Sequence, residues 1–176
     1  MWCNTKKTYG SVAKIFHWLM AALILFLLGL GWLMTGAPAL RLHQFFGLLA
    51  LFLFFLRWSW KLCNPRPRLP ATVSRLQANL AKTVQIFLYI GMCVMPFSGW
   101  AMSTAFGWGP HLGHLQITLP FLGAHPGYGN FFQILHQTLA WVLMGLISVH
   151  VLGVLQHRWI DKNWCVLRRM LPNFKK

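Results

Sequence analysis

The chain has 176 residues, of which 57% are hydrophobic and only 10% charged. A soluble domain carries about 25% charged residues, so these proportions exclude a water-covered globular surface and indicate an integral membrane protein. The formal charge of +15 comes from sixteen Lys and Arg against one acid, Asp161. No polar domain presents those cations to nucleic acid, so they are read as membrane-flanking residues.

In chain order, four apolar stretches are long enough for a bilayer core, which takes about 20 residues. They cover about 15–35, 43–62, 80–104 and 131–157. The first follows Lys6, Lys7 and Lys14 and precedes Ala37–Pro38–Ala39, which imitates a secretory leader. Its apolar run exceeds a typical secretory core, so it is read as a retained helix. The connection at 35–42 contains Gly36 and Pro38 and is read as a short turn between antiparallel neighbours. The connection at 63–79 is polar, and Pro65, Pro67 and Pro70 prevent helix continuation. Pro96 falls inside the third stretch, between Gly91 and Gly99, and is read as a packing kink. The connection at 103–130 is rich in Gly, Pro and His, and loops of that length often carry function or short elements of their own. No stretch alternates with period two, so a barrel is not supported. The expected fold class is all-α: an integral membrane four-helix bundle forming a single domain over 1–176.

Orientation follows from the cations. Lys6, Lys7 and Lys14 precede the first span. Arg57, Lys61, Arg66, Arg68, Arg75 and Lys82 surround the second connection, and Arg158, Lys162, Arg168, Arg169, Lys175 and Lys176 follow the fourth span. These lie on one side of a four-helix topology, and only Arg41 lies on the other. Both termini are expected in the cytoplasm. Trp18, Trp32, Trp58, Trp60, Trp108 and Trp159 fall near span ends, as an interfacial belt requires.

The chemistry lies in the histidines. His136 and His150 are fourteen residues apart in one apolar run. At about 3.6 residues per turn this is almost four turns, so both imidazoles share a face, about 21 Å apart along the axis. Ionisable groups inside an apolar helix are functional candidates. With the spans alternating in direction, His43 and His136 share the outer level, and His17 and His150 share the inner level. Each level offers two imidazoles and no Cys, Asp or Glu. Zinc usually takes three or four protein ligands. Haem b takes only two from protein, so two haems bound between the helices fit the inventory best. Cys3, Cys63, Cys93 and Cys165 form no C-x-x-C pattern, which disfavours covalent haem attachment and a zinc ribbon.

Other residues are expected around these levels. Gly29, Gly31 and Gly47 reach the outer level, where a flat macrocycle needs small neighbours. Arg57 lies fourteen residues after His43 on the same face, and it and Arg41 are candidates for haem propionates. His157 lies two turns beyond His150 and is a candidate for a quinone head group or a proton path. His111, His114 and His125 in the outer loop are weak metal candidates, and no role is assigned to them.

His17–Trp18, His43, the His136 and His150 pair, and the ending His157–Arg158–Trp159–Ile160–Asp161–Lys162–Asn163 with Leu167–Arg168–Arg169–Met170–Leu171–Pro172 resemble the bacterial cytochrome b561 family over essentially the whole chain. The resemblance implies a four-helix protein of the bacterial inner membrane. It also implies two non-covalent b haems, in the pairs His17 with His150 and His43 with His136, and electron exchange with ubiquinone or another quinone. Some relatives oxidise superoxide at the outer face. This chain's outer loop has three His and no Lys or Arg, leaving superoxide or another periplasmic-side donor as the expectation. An electron-carrier subunit of a larger redox complex is the first alternative. A haem-free transporter is the weaker one, because the spans hold no Asp or Glu.

Overall fold

The computed structural model describes residues 1–6, 8–67, 73–112, 114–160 and 165–171. Lys7, Arg68, Pro70, Asp161, Lys162, Asn163, Pro172, Lys175 and Lys176 lie outside the described residues. The chain forms an all-α membrane bundle of four long helices, α1 (Ser11–Leu33), α2 (Gly36–Cys63), α3 (Arg75–Ala105) and α4 (Pro126–Trp159). All four are long and apolar enough to cross a membrane. A two-residue pair of strands, β1 (His111–Leu112) and β2 (Leu115–Gln116), lies between α3 and α4, and a short α5 (Cys165–Arg168) follows.

Local sequence sets the helix ends. The turn between α1 and α2 is shorter than the sequence suggested, because α2 starts at Gly36 rather than near His43. Gly36 has φ +76°, a left-handed value that glycine adopts without steric cost. Pro38 then sits in the first turn, where no intrahelical N–H is needed. α3 opens with a reciprocal cap: the Gln77 N–H donates to the Ser74 hydroxyl at 3.2 Å, and the Ser74 N–H donates to the Gln77 side chain at 3.0 Å. α3 continues through Pro96 and stops where Gly107 takes φ +80°. α4 begins on Pro126 and runs 34 residues, about 51 Å of helix against a hydrocarbon core of about 30 Å. The helix is therefore longer than the apolar layer is thick, and His157 and Arg158 lie in its last turn.

The helices pack in sequence order. α1 lies on α2, α2 on α3, and α3 most extensively on α4. Met20, Phe54 and Met92, one from each of the first three helices, form a buried cluster. The α3–α4 seam is tight because small residues line it: Ala101 and Ala105 are fully buried, and a Cβ at Gly91 would stand 2.6 Å from the Leu143 side chain. The backbones of α1 and α2 stay away from α4, and the two sides meet through rings instead. The bundle is thus an open ring of helices whose closing side is a slot.

Two ends of the bundle can be told apart. At the basic end lie the start of α1, the end of α2, the start of α3 and the end of α4. At the loop end the α3–α4 connection folds over the helices. The Ile117 carbonyl accepts from the Trp100 indole at 2.9 Å, the Leu119 N–H donates to the Thr104 hydroxyl at 3.2 Å, and the His125 N–H donates to the Ala105 carbonyl at 2.9 Å. Gln44 on α2 reaches across to Ser103 and to the Trp108 carbonyl, both at 3.1 Å.

Overpacking the α3–α4 seam should be costly. Gly91→Leu is expected to lower stability by about 1–3 kcal/mol. Gly145→Ala, where no atom lies within 4 Å of the new Cβ, should leave it unchanged or slightly raised. Thermal unfolding of the two purified variants in detergent compares them, and equal midpoints would refute a tight seam.

Candidate cofactor sites

α4 carries two of the four histidines, and α1 and α2 carry one each facing it. His43 and His136 meet at the loop end with ring centroids 6.1 Å apart and planes at 80°. His17 and His150 meet nearer the basic end, 6.2 Å apart with planes at 60°. Metal–imidazole bonds are about 2 Å long, and a ring nitrogen lies about 1.1 Å from its ring centre. Two imidazoles on opposite sides of one metal ion therefore have centres about 6.3 Å apart. Both pairs fall within a few tenths of an ångström of that spacing, too far apart for direct stacking. Their donor set, two neutral nitrogens and no thiolate or carboxylate, suits an iron whose other four positions come from a porphyrin.

The surroundings of His136 hold one ring nitrogen and leave the other free. Its Nδ1 lies 3.0 Å from the Met95 carbonyl and 3.0 Å from the Ser98 hydroxyl, which itself donates to Met95 at 2.7 Å. A carbonyl only accepts, so Nδ1 carries the proton and Nε2 keeps its lone pair for a metal. Gly99 makes this approach possible, since a Cβ there would stand 2.8 Å from His136 Cε1. Gly31 does the same for His43, at 3.2 Å from its Cε1. Buried His43 Nδ1 has no hydrogen-bond partner, whereas Gly29 and Gly47 face open space.

A cavity of about 110 Å³, partly open to the outside, is walled by His43, His136, Gly47, Met20, Pro96 and Leu143 among others. Its wall is almost wholly apolar, which keeps water from the imidazoles. The residues present thus fit a haem at this level on three counts: ring spacing, a His136 tautomer that leaves Nε2 free, and an apolar surround.

The basic-end pair is built differently. The Arg57 guanidinium lies 3.4 Å from His17 Nδ1 and donates from Nε to the Tyr89 hydroxyl at 3.3 Å. Arginine is a donor only, so this contact asks Nδ1 to accept. A His17 that bound metal through Nε2 would carry its proton on Nδ1 and turn the guanidinium toward another acceptor. Lys61 stacks on the other part of this cluster, its Nζ 3.4 Å from the Tyr89 ring centre.

The remaining candidates are scattered. Arg41 is exposed at the loop end, two residues before His43. His157 sits half-buried in the last turn of α4. His111, His114 and His125 are all exposed, and among the described residues no group of three metal-ligating side chains forms. Sequence reasoning does not find Ser98, the Met95 carbonyl, Gln44 or Tyr89. The one available signal is the run of small residues after Pro96, for which local packing is already a sufficient reason.

Comparison with known proteins agrees with this architecture. The prokaryotic cytochrome b561 family model matches residues 8–173. The chain is 31% identical over 184 residues to Cytochrome b561 homolog 2 of Escherichia coli (strain K12), across 96% of this chain and 93% of that protein. With four apolar helices and paired histidines between them, the chain belongs to the prokaryotic cytochrome b561 family of haem b-binding membrane proteins that transfer electrons.

Proposed function

We propose that this chain holds two b-type haems and carries electrons across the bacterial inner membrane, between a periplasmic-side donor and membrane quinone. His43 and His136 hold one haem, and His17 and His150 hold the other. The observation that carries this reading is the repetition of one ring spacing, 6.1 and 6.2 Å, at two heights of one slot. Haem b supplies one-electron chemistry when bound, and two protein ligands per iron suit outer-sphere transfer over oxygen binding.

The chain's own groups tune and insulate the sites. The Met95 carbonyl and Ser98 fix the His136 tautomer and raise its basicity as a ligand. Arg57, released from His17 as described, is positioned to meet a propionate at the basic end. Arg41 is the corresponding cation at the loop end. The slot's apolar wall excludes water, so imidazole orientation is set by protein contacts rather than by solvent. His157, in the last turn of α4, is assigned to a quinone head group or to proton movement. Superoxide is a candidate donor at the outer face, where Arg41 is the one cation and the exposed loop histidines add charge when protonated. Support for both termini in the cytoplasm comes from the sequence, in which fifteen cations fall in the segments on one side of the four spans and Arg41 alone on the other.

Two experiments test this reading. Replacing His43 or His17 with Ala should each remove about half the haem, read as a haem-to-protein ratio and a reduced-minus-oxidised spectrum. Gly99→Leu should mimic His43→Ala, because the new side chain displaces the His136 ring. Haem that survives both His substitutions would end the ligand assignment. For orientation, a C-terminal reporter that is active only outside the cytoplasm should stay silent, and a fluorescent protein at the same point should glow. The opposite pattern would invert the topology and exchange donor and quinone faces.

A further inference from the structure

A second cavity, of about 70 Å³, lies at the basic end, between the starts of α1 and α3 and the end of α2. His17 and His150 are not among its walls. Its charged wall is entirely cationic: Arg57, Lys61 and Arg66. Lys61 is held there by the Tyr89 ring instead of extending away to water. Trp60 also lines it, and the Trp60 indole N–H is buried with no acceptor. Indole nitrogen is a donor only, and a buried donor without a partner costs about 1–3 kcal/mol. Burial pushes the Tyr9 phenol, another wall residue, above its ordinary value, so it remains a neutral donor at physiological pH. The floor is organised rather than loose. Asn4 bonds to the Asn64 side chain and the Pro65 carbonyl at 3.3 Å each, and Asn64 donates to the Trp60 carbonyl at 3.0 Å.

Among the described residues, the cavity therefore presents cations and donors and no carboxylate. None of the described wall residues is acidic, and Asp161, the one Asp or Glu in the sequence, lies outside the described residues. The cavity opens at the interfacial level of a membrane protein, where the abundant acceptor-only anion is a phosphodiester. We propose that this cavity is a binding site for the headgroup phosphate of an anionic phospholipid, held by Lys61, Arg66 and the Trp60 indole. Arg57 shares this wall with the propionate assigned to it above, whereas Lys61, Arg66 and the Trp60 indole are placed at neither an iron ligand nor a propionate, so the site is tested through these three.

The test uses the full-length, haem-loaded protein in mild detergent, with native mass spectrometry as the readout. Phosphatidylglycerol, phosphatidylcholine and inorganic phosphate are added separately, and haem content is read from the same samples. A single phosphatidylglycerol should be retained in preference to phosphatidylcholine. Lys61→Gln and Arg66→Gln should each weaken its binding about fivefold. Trp60→Phe, which keeps the ring and removes the donor, should weaken it as well, with haem content unchanged in all three. Equal retention of the two lipids, or variants that bind phosphatidylglycerol like the parent, would overturn the proposal. Displacement by millimolar inorganic phosphate would overturn the lipid as the source of the anion. Retention only in His17→Ala protein would mean that a haem propionate fills the cavity, and would overturn it equally. A protein with one haem or none that still prefers phosphatidylglycerol would sustain this site while the haem reading fails.

Discussion

An imidazole inside an apolar bundle must be given partners by the protein, because no water is there to supply them. Four imidazoles stand in this slot, and they are not satisfied alike: His43 Nδ1 is buried without a hydrogen-bond partner. α3 answers for His136 with a carbonyl and a hydroxyl. It reaches that close to α4 because Gly91, Gly99 and Ala101 carry little or no side chain. α1 and α2 stand further from α4, and the ring centres across that gap are 6.1 and 6.2 Å apart. A closer approach would let the helices pack conventionally and would leave no place for a macrocycle. A wider one would leave the rings without common purpose.

The two levels solve the same problem with opposite electrostatics. At the loop end the neighbours of the pair are neutral: a carbonyl, a hydroxyl and an apolar cavity wall. At the basic end a guanidinium stands 3.4 Å from His17, with a second cation across Tyr89. Charge near a low-dielectric site acts over longer distances than charge in water. The difference is built from residues that touch no iron in the proposed arrangement, and it follows from the same excess of Lys and Arg that orients the chain in the membrane. One feature of composition thus reaches from topology to the environment of the inner pair.

Much of this was legible in the sequence because helical periodicity is rigid. Fourteen residues between His136 and His150 fix both face and height, and alternating span direction supplies the partners without knowledge of side-chain contacts. The four spans were visible because an apolar run of about 20 residues matches the thickness of a bilayer core and exceeds what a small soluble core can bury. The start of α2 was hidden because Pro38 reads as a break, whereas proline is compatible with a first helical turn. The role of Gly99 was hidden for a different reason. Its partner, His136, is 37 residues away in sequence, and small residues beside a proline are accounted for by local packing. Ser98, Gln44 and the β1–β2 pair share that obstacle: each acts through contacts between elements, which a single sequence does not display.

The open ring of helices has a consequence for the protein as a machine. Along three seams, cohesion comes from backbone approach and interdigitated side chains. Along the fourth it comes from rings: His17 with His150, His43 with His136, and Trp32 with Trp141 at 5.1 Å. In the proposed assignment each haem bridges that fourth seam at its own height, so cofactor binding and closure of the bundle are one event. Whatever binds only the folded state stabilises it by mass action. The weak seam is then not a defect of packing but the means by which a chain with few polar contacts makes its fold depend on carrying its cofactors. An extra apolar side chain at Gly47 would close the slot more tightly and would abolish what the slot is for.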